Sequence, residues 1–135
     1  MMQKTFAMIK PDAIKAKNSG KIIDMIESHG FTILAMKKLH LSQAQAEEFY
    51  AVHKHRPFFG ELVSMMTSGP MVAMVLAKEN AIADWRTLMG ATNPAEAAPN
   101  TVRKLYGANI GENAVHGSDS QETAQQEISI SQNWF

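Results

Sequence analysis

One histidine of the chain stands where it could do chemistry. His116 follows a short apolar step and precedes Gly117, and the run Ser118-Asp119-Ser120 then opens a predicted helix. The free N–H groups at a helix N-terminus attract anions, and a histidine beside them could act as an acid, a base or a nucleophile. Glu127, farther along that helix, could hold one imidazole nitrogen and leave the other free to attack. On spacing alone a second interpretation stays open, in which the serine is a helix cap and the histidine a bystander.

Other side chains of types that bind phosphate are scattered along the chain. Phosphoryl transfer relies on positioning and on neutralisation of charge, which cationic and polar groups at the ends of helices and strands can supply. Taken singly, each of them could equally be an exposed surface group. The run His53-Lys54-His55-Arg56 has the same two interpretations, a solvated basic loop or an anion-binding rim. The candidates outside that run are Lys10, Arg86, Thr92, Arg103 and Asn113.

Composition excludes several classes of protein. The 13 basic and 13 acidic residues balance, so we expect no whole-protein field that gathers nucleic acid. The absence of cysteine excludes disulfides and thiolate metal sites. The sequence has no P-loop, no glycine-rich dinucleotide motif and no H-E-x-x-H zinc motif. It has no apolar run of ~20 residues and no signal-peptide core, so we expect a cytoplasmic protein without membrane association.

The sequence pattern predicts the strands and helices that position these candidate residues. Apolar β-prone runs predict strands at residues 5–9, 31–41, 71–76 and 114–116, and helical spacing predicts helices at 20–29, 43–50, 58–67, 80–89 and 118–130. Residues 91–113 have little periodicity, and so long a loop is either functional or wrongly assigned. If the second and third strands pair, this is an α+β, ferredoxin-like βαββαβ fold. Its four-stranded antiparallel sheet would carry helices on one face, with extra helices and a long loop before the strand of His116. The length predicts a single domain, residues 1–135.

Several motifs, in order along the chain, resemble the nucleoside diphosphate kinase family. The resemblance runs from about Lys4 to Ile128, nearly the whole sequence. The matching runs are residues 5–13 (with Lys10-Pro11-Asp12), 49–53, 56–59 (Arg56-Pro57-Phe58-Phe59), 66–70, 88–94 and 113–119. The last run, Asn113-Ala114-Val115-His116-Gly117-Ser118-Asp119, is similar to the active-site signature of that family.

This resemblance implies a ping-pong phosphotransfer reaction. A nucleoside triphosphate would give its γ-phosphoryl group to His116, and a ribo- or deoxyribonucleoside diphosphate would then take it. A phosphohistidine suits two such steps because its P–N bond is reactive. By the same resemblance Glu127 and Ser118 would orient His116, and Tyr50 would lie close to it.

The resemblance also implies a nucleotide site that is tolerant of the base. The base would lie between Phe58 and Ile110, and stacking accepts any base because every base has a π-face. Mg²⁺ would bridge phosphate oxygens without a direct side-chain ligand from the protein. The family is homo-oligomeric, tetrameric or hexameric. Of the remaining residues, Lys10 and Asn113 would contact the sugar 3′-hydroxyl, Lys10 would also lie near the transferred phosphate, and Arg86, Thr92, Arg103 and His53 would hold the phosphates.

The sequence departs from the family pattern at two places. Arg103-Lys104-Leu105-Tyr106 lacks the acidic residue usual beside the arginine, and Ala16-Lys17-Asn18-Ser19 lacks the apolar residue common before Gly20. Neither departure touches a residue carried over from the family. Two other functions remain alternatives: a nucleotide- or nucleic-acid-binding regulatory protein with minor turnover, and a histidine phosphocarrier that relays phosphate to a protein. The neutral net charge disfavours nucleic acid as the main partner.

Overall fold

A four-stranded antiparallel sheet lies at the centre of the computed structural model, which describes residues 2–135. The strands are β1 (Gln3–Ile9), β2 (Thr32–Leu39), β3 (Met71–Lys78) and β4 (Val115–Gly117). Their order in the sheet is β2-β3-β1-β4. Because β2 does pair with β3, the ferredoxin-like βαββαβ arrangement expected from the sequence is confirmed.

The helices lie at or close to the predicted positions, with two short additions, α1 and α6. They are α1 (Pro11–Lys15), α2 (Ser19–Ser28), α3 (Gln43–Phe49), α4 (Phe59–Met66), α5 (Ala81–Met89), α6 (Val102–Tyr106) and α7 (Gln121–Ser131). Short 3₁₀ turns occupy Ala51–His53, Pro94–Glu96 and Gln132–Trp134. In the part of the chain from residue 2 onward, no helix has the length and apolar character that crossing a membrane requires.

The start of α7 shows which serine of the run Ser118-Asp119-Ser120 caps the helix. The helix begins at Gln121, and Ser120 is its N-cap, with a side chain that accepts the backbone N–H of Thr123. Ser42 makes the corresponding capping box with Gln45 at the start of α3, as the sequence predicted. Since the Ser120 side chain caps the N-terminus of α7, the hydroxyl of Ser118 is available for another hydrogen bond.

Helices cover both faces of the sheet, and the expectation of a single covered face was wrong. On one face Ile9 belongs to the same core cluster as Ile22 of α2 and Trp85 of α5. On the other face Met8 belongs to a second cluster with Phe49 of α3. The reason is that β1 and β3 carry apolar side chains on both of their faces, and each face must be covered.

Strand β2 lies at the edge of the sheet and exposes part of its apolar surface. Leu34 and Met36 are each 50% exposed. An irregularity in the pairing with β3 falls between Ile33 and Ala35, so Leu34 is an extra residue that shifts the alternation of the strand. As a result Ile33 packs against the first cluster and Ala35 against the second.

The segment between α5 and β4 is more ordered than its sequence indicated. It contains the 3₁₀ turn Pro94–Glu96 and helix α6, whose N-cap Thr101 accepts the backbone N–H of Lys104. Val102 is fully buried in the cluster beneath α5. A helix of 5 residues is too short to show a helical period, so packing rather than pattern defines it.

The glycine that ends α5 gives a test of this packing. Gly90 has a φ of +86°, and a Cβ there would lie 2.5 Å from Thr101 Oγ1. We expect Gly90→Ala to lower the free energy of unfolding by about 1–3 kcal/mol, because alanine would be strained and would displace the cap of α6. Urea denaturation at one fixed protein concentration measures the change.

The matched control is Gly20→Ala in α2. A Cβ at this position meets nothing within 4 Å, so alanine should raise the free energy of unfolding by about 0.5–1 kcal/mol. Equal effects of the two substitutions would contradict the account of Gly90.

Candidate active site

A chain of hydrogen bonds leads from the sheet to His116. The Nε2 atom of His116 lies 3.1 Å from Oε1 of Glu127, and Ser118 Oγ donates to the same Oε1 at 2.8 Å. The backbone N–H of Phe6 on β1 in turn donates to Ser118 Oγ at 3.2 Å. Because a carboxylate only accepts hydrogen bonds, Nε2 carries the proton of the neutral imidazole and Nδ1 keeps a lone pair. Within residues 2–135, Nδ1 makes no hydrogen bond.

Three aromatic rings surround the imidazole. Phe49 lies edge-on at 5.5 Å between ring centroids, Tyr50 lies edge-on at 6.4 Å, and Phe6 is tilted at 6.5 Å. Burial raises the pKa of the Tyr50 phenol above its usual range, and the charge of Glu127 raises it further, so the phenol stays neutral. These rings restrict rotation of His116 and exclude water from one side of it. Sequence reasoning identified Tyr50 but missed Phe49 and Phe6, whose roles depend on three elements that meet only in the fold.

Side chains of distant elements also hold the backbone of β4. Trp85 Nε1 of α5 donates to the carbonyl of His116 at 3.2 Å. Arg103 of α6 donates through Nη2 to the carbonyl of Val115 and through Nη1 to the carbonyl of Gly90, both at 3.0 Å. A Cβ at Gly117 would lie 2.5 Å from Trp85 Cδ1. The glycine that follows the histidine is therefore needed for the close approach of the indole.

Lys10 lies at the centre of a polar network at the end of β1. Its Nζ donates to Asn113 Oδ1 at 2.9 Å and to the carbonyl of Gly111 at 3.0 Å. Asn113 Nδ2 donates to the carbonyl of Thr92 at 3.1 Å. Burial lowers the pKa of the Lys10 ammonium to about 8, and the charge of Arg103 acts in the same direction. The fold thus brings together Lys10, Asn113 and Thr92, three of the predicted site residues. Burial of the ammonium costs free energy because it removes water from a charged group.

Arg103 is largely buried and sits close enough to Arg86 for their charges to interact. Burial lowers the pKa of the Arg103 guanidinium, Arg86 lowers it further, and Asp119 opposes the shift. Its Nε is buried and has no hydrogen-bond partner among residues 2–135. Two neighbouring cations, one of them with an unsatisfied N–H group, form a region that an anion would stabilise.

An open pocket of about 550 Å³ begins at Lys10. Two apolar side chains line it from opposite parts of the chain, Phe58 at the start of α4 and Ile110 in the loop before β4, and they are 46% and 60% exposed. The ring of His53 lies 5.5 Å from that of Phe58, which puts His53 beside the pocket wall rather than in the Lys10 network. The other lining residues are Glu61, Leu62, Met65, Gly111 and Glu112.

Carboxylates and imidazoles do not gather into a metal cage. In the part of the chain that the structure describes, no group of three or more histidine, aspartate or glutamate side chains could hold a metal ion. Near the end of β1 the site offers the cations of Lys10, Arg86 and Arg103, which complement an anionic ligand.

Known proteins resemble this chain in both sequence and structure. The family model described as nucleoside diphosphate kinase matches residues 3–134. The nucleoside diphosphate kinase of Trichlorobacter lovleyi is 63% identical over 127 residues, which cover 94% of this chain and 92% of the relative. The nucleoside diphosphate kinase of Phenylobacterium zucineum is 57% identical over 128 residues, which cover 95% of this chain and 92% of the relative.

Solved structures agree with the sequence comparison. The Aquifex aeolicus nucleoside diphosphate kinase superposes with a TM-score of 0.94 at 45% identity, covering 96% of this chain and 94% of the other. A Halobacterium salinarum nucleoside diphosphate kinase in complex with CDP superposes with a TM-score of 0.92 at 39% identity, covering 96% and 87%. The second of these carries a bound nucleotide.

The buried ammonium of Lys10 leads to a prediction about pH. Its pKa of about 8 lies below the ordinary value of 10.5, so between these pH values the unfolded chain binds more protons than the folded one. Stability contributed by residue 10 therefore rises with pH in this window. Relative to the wild type, we expect Lys10→Met to be more stable at pH 7 than at pH 10, because only the wild type loses the penalty of burying the ammonium as the pH rises. Urea denaturation of both proteins at the two pH values measures it, and a constant difference would contradict the burial of a charged lysine.

Proposed function

We propose a reaction from two facts: the chain belongs to the nucleoside diphosphate kinase family, and it is an enzyme of that class. It moves a γ-phosphoryl group from a nucleoside triphosphate to a nucleoside diphosphate, and a phosphohistidine at His116 is the intermediate. The observation that carries this proposal is the contact of Glu127 with Nε2. It leaves the lone pair of Nδ1 as the nucleophile. The reaction is ping-pong, because one nucleotide must leave before the next enters the same site.

The first half-reaction forms one bond and breaks one. Nδ1 of His116 attacks the γ-phosphorus, and the bond from that phosphorus to the β–γ bridging oxygen breaks, so the diphosphate leaves with the electron pair. The imidazole becomes cationic, and the carboxylate of Glu127 stabilises the proton on Nε2. In the second half-reaction a β-phosphate oxygen of another diphosphate attacks the same phosphorus and breaks the P–N bond.

Ser118 and Tyr50 support the nucleophile. Ser118 donates to Glu127 rather than to His116, so it fixes the carboxylate that fixes the imidazole. Tyr50 packs against the imidazole edge-on and, as a neutral phenol, adds no negative charge near the incoming phosphate.

The phosphates bind to the cationic region between α5, α6 and the end of β1. Arg86, Arg103 and Lys10 neutralise charge as the transferred group passes to His116. Thr92 lines the same region, with its carbonyl held by Asn113. Mg²⁺ would enter with the nucleotide as part of the substrate, with its oxygen ligands supplied by the phosphates and water, and would neutralise part of the phosphate charge. Lys10 and Asn113, already hydrogen-bonded to each other, bind the sugar 3′-hydroxyl.

The base stacks between Phe58 and Ile110. Both side chains are exposed and line the same pocket, so a flat ring can enter between them. Recognition through the faces of the ring admits every common base. His53 remains a predicted phosphate ligand, and its ring also packs beside Phe58. A homo-oligomeric state, tetramer or hexamer, and a cytoplasmic location stay predictions.

Labelling with γ-³²P-ATP tests the function and its alternatives. The wild type should acquire an acid-labile label that several different nucleoside diphosphates discharge. His116→Ala should lose both the label and the turnover while it still binds nucleotide. His29→Ala is the control, because His29 is an exposed residue at the end of α2 whose ring contacts the carbonyl of Met25 on its own helix, and it should behave as the wild type.

Three outcomes of this experiment contradict the proposal. Normal turnover by His116→Ala would remove the histidine from the mechanism. Discharge by a protein extract but not by nucleoside diphosphates would make the chain a phosphocarrier. A wild type that binds nucleotide without becoming labelled would make it a regulatory binding protein.

Substitution of the pocket wall tests the stacking of the base. Phe58→Ala should raise KM about 5- to 150-fold for ATP, GTP, CTP and UTP alike, since stacking contributes about 1–3 kcal/mol per base whatever its identity. Phe135→Ala, which removes an exposed phenylalanine away from this pocket, is the control. A loss confined to one of the four nucleotides would indicate hydrogen-bonded recognition of the base instead.

A further inference from the structure

The backbone two residues before His116 is strained. Ala114 has a φ of +75° and is fully buried. The N–H of Val115 donates to the carbonyl of Asn113 at 2.9 Å, so these three residues form a tight γ-turn, the rare and strained form with positive φ at its centre. A non-glycine residue in such a conformation is strained and persists only where its surroundings hold it.

Residues at the junction of β1 and α1 hold this turn on both sides. The carboxylate of Asp12 accepts the N–H of Ala114 through Oδ2 at 3.0 Å. The carbonyl of Ala114 accepts the N–H of Lys10 at 2.8 Å. Both polar backbone groups of the strained residue are thus bound to a segment about one hundred residues earlier in the chain.

The environment of Asp12 disfavours its charged carboxylate. Burial raises the pKa of its carboxyl group, and the charge of Lys10 opposes that shift. Its second oxygen, Oδ1, is buried and has no hydrogen-bond partner among the described residues. An incompletely paired buried carboxylate adds little to stability. What the contact secures is the conformation of the turn.

We propose that Asp12 is a positioning residue for the transfer step, which it serves by holding Ala114 at positive φ. The turn separates two functional groups, since Asn113 precedes it and His116 follows it by two residues. If the N–H of Ala114 were released, the residue would relax to negative φ and change the direction of the chain at the start of β4. Asn113 would then move from Lys10, and Nδ1 of His116 would move from the line of attack. This inference rests on the proposed role of His116.

The first test removes the acceptor and compares it with a substitution that keeps it. Asp12→Ala should slow single-turnover phosphorylation by saturating ATP about 10- to 100-fold, as expected for a displaced reacting group, with a smaller change in nucleotide affinity. Asp12→Asn should retain most of the rate, because its amide oxygen can accept the same N–H. Asp24→Ala, at an exposed position of α2, is the control. A wild-type rate for Asp12→Ala would overturn the proposal.

The second test is rescue at the turn itself. Glycine adopts positive φ without strain, so Ala114→Gly should keep the turn formed without a clamp. The double variant Asp12→Ala/Ala114→Gly should recover most of the lost rate, whereas Ala114→Gly alone should resemble the wild type. Should Asp12→Ala fail to fold, the proposal still requires the double variant to fold and to be phosphorylated. No recovery in the double variant would overturn it.

A structural readout separates this inference from the proposed function. A crystal structure of Asp12→Ala should show Ala114 at negative φ and a longer distance from Lys10 Nζ to Asn113 Oδ1 than the present 2.9 Å. An unchanged turn would refute the positioning role whatever the enzyme does. Failure of the wild type to label at His116 would instead refute the proposed function and leave the structural prediction to be judged by the φ of Ala114.

Discussion

The hydrogen bond between Glu127 and Nε2 of His116 joins α7 to the edge of the sheet, and the rest of the site is arranged around it. It fixes the tautomer of the imidazole and the direction in which Nδ1 points. The carboxylate is fixed in turn by Ser118, and Ser118 by the backbone of Phe6 in the central strand β1. Rigidity therefore passes from the buried part of β1 to the reacting nitrogen through three hydrogen bonds, and the aromatic rings around the imidazole leave it little freedom to turn.

Strand β4, which carries His116, has too little backbone pairing to hold itself in place. It is 3 residues long and lies at the edge of the sheet. Trp85 and Arg103 hold its carbonyl groups, and Asp12 holds the turn before it. Burial disfavours the charged forms of Arg103 and Asp12, and of Lys10 beside them. A polyanion bound here would relieve the repulsion between Arg86 and Arg103, so the free site is electrostatically prepared for phosphate.

Segments with strong patterns were predictable, and those defined by packing were not. The apolar runs of β1 and β3, the capping box at Ser42 and the helices with clear periodicity follow from local chemistry. Helices α1 and α6 are too short for a periodic signal, and the shift of alternation at Leu34 arises from pairing with β3. The prediction of helices on one face was wrong because it was inferred from the order of strands and helices. The sequence already indicated that β1 and β3 are apolar on both faces.

The sequence by itself determined the family, the succession of strands and helices along the chain and the identity of His116 as the candidate nucleophile, because motifs and apolar periodicity are local properties of the chain. Tertiary structure alone decided which imidazole nitrogen is free, that Ser118 serves Glu127 instead of capping a helix, and that Asp12 holds the turn at Ala114. The physical reason is separation along the chain. Ser118 and Phe6 are 112 residues apart, and Asp12 and Ala114 are 102 apart, so no local pattern records which donor will meet which acceptor. That choice is made only when the sheet brings β1 and β4 side by side.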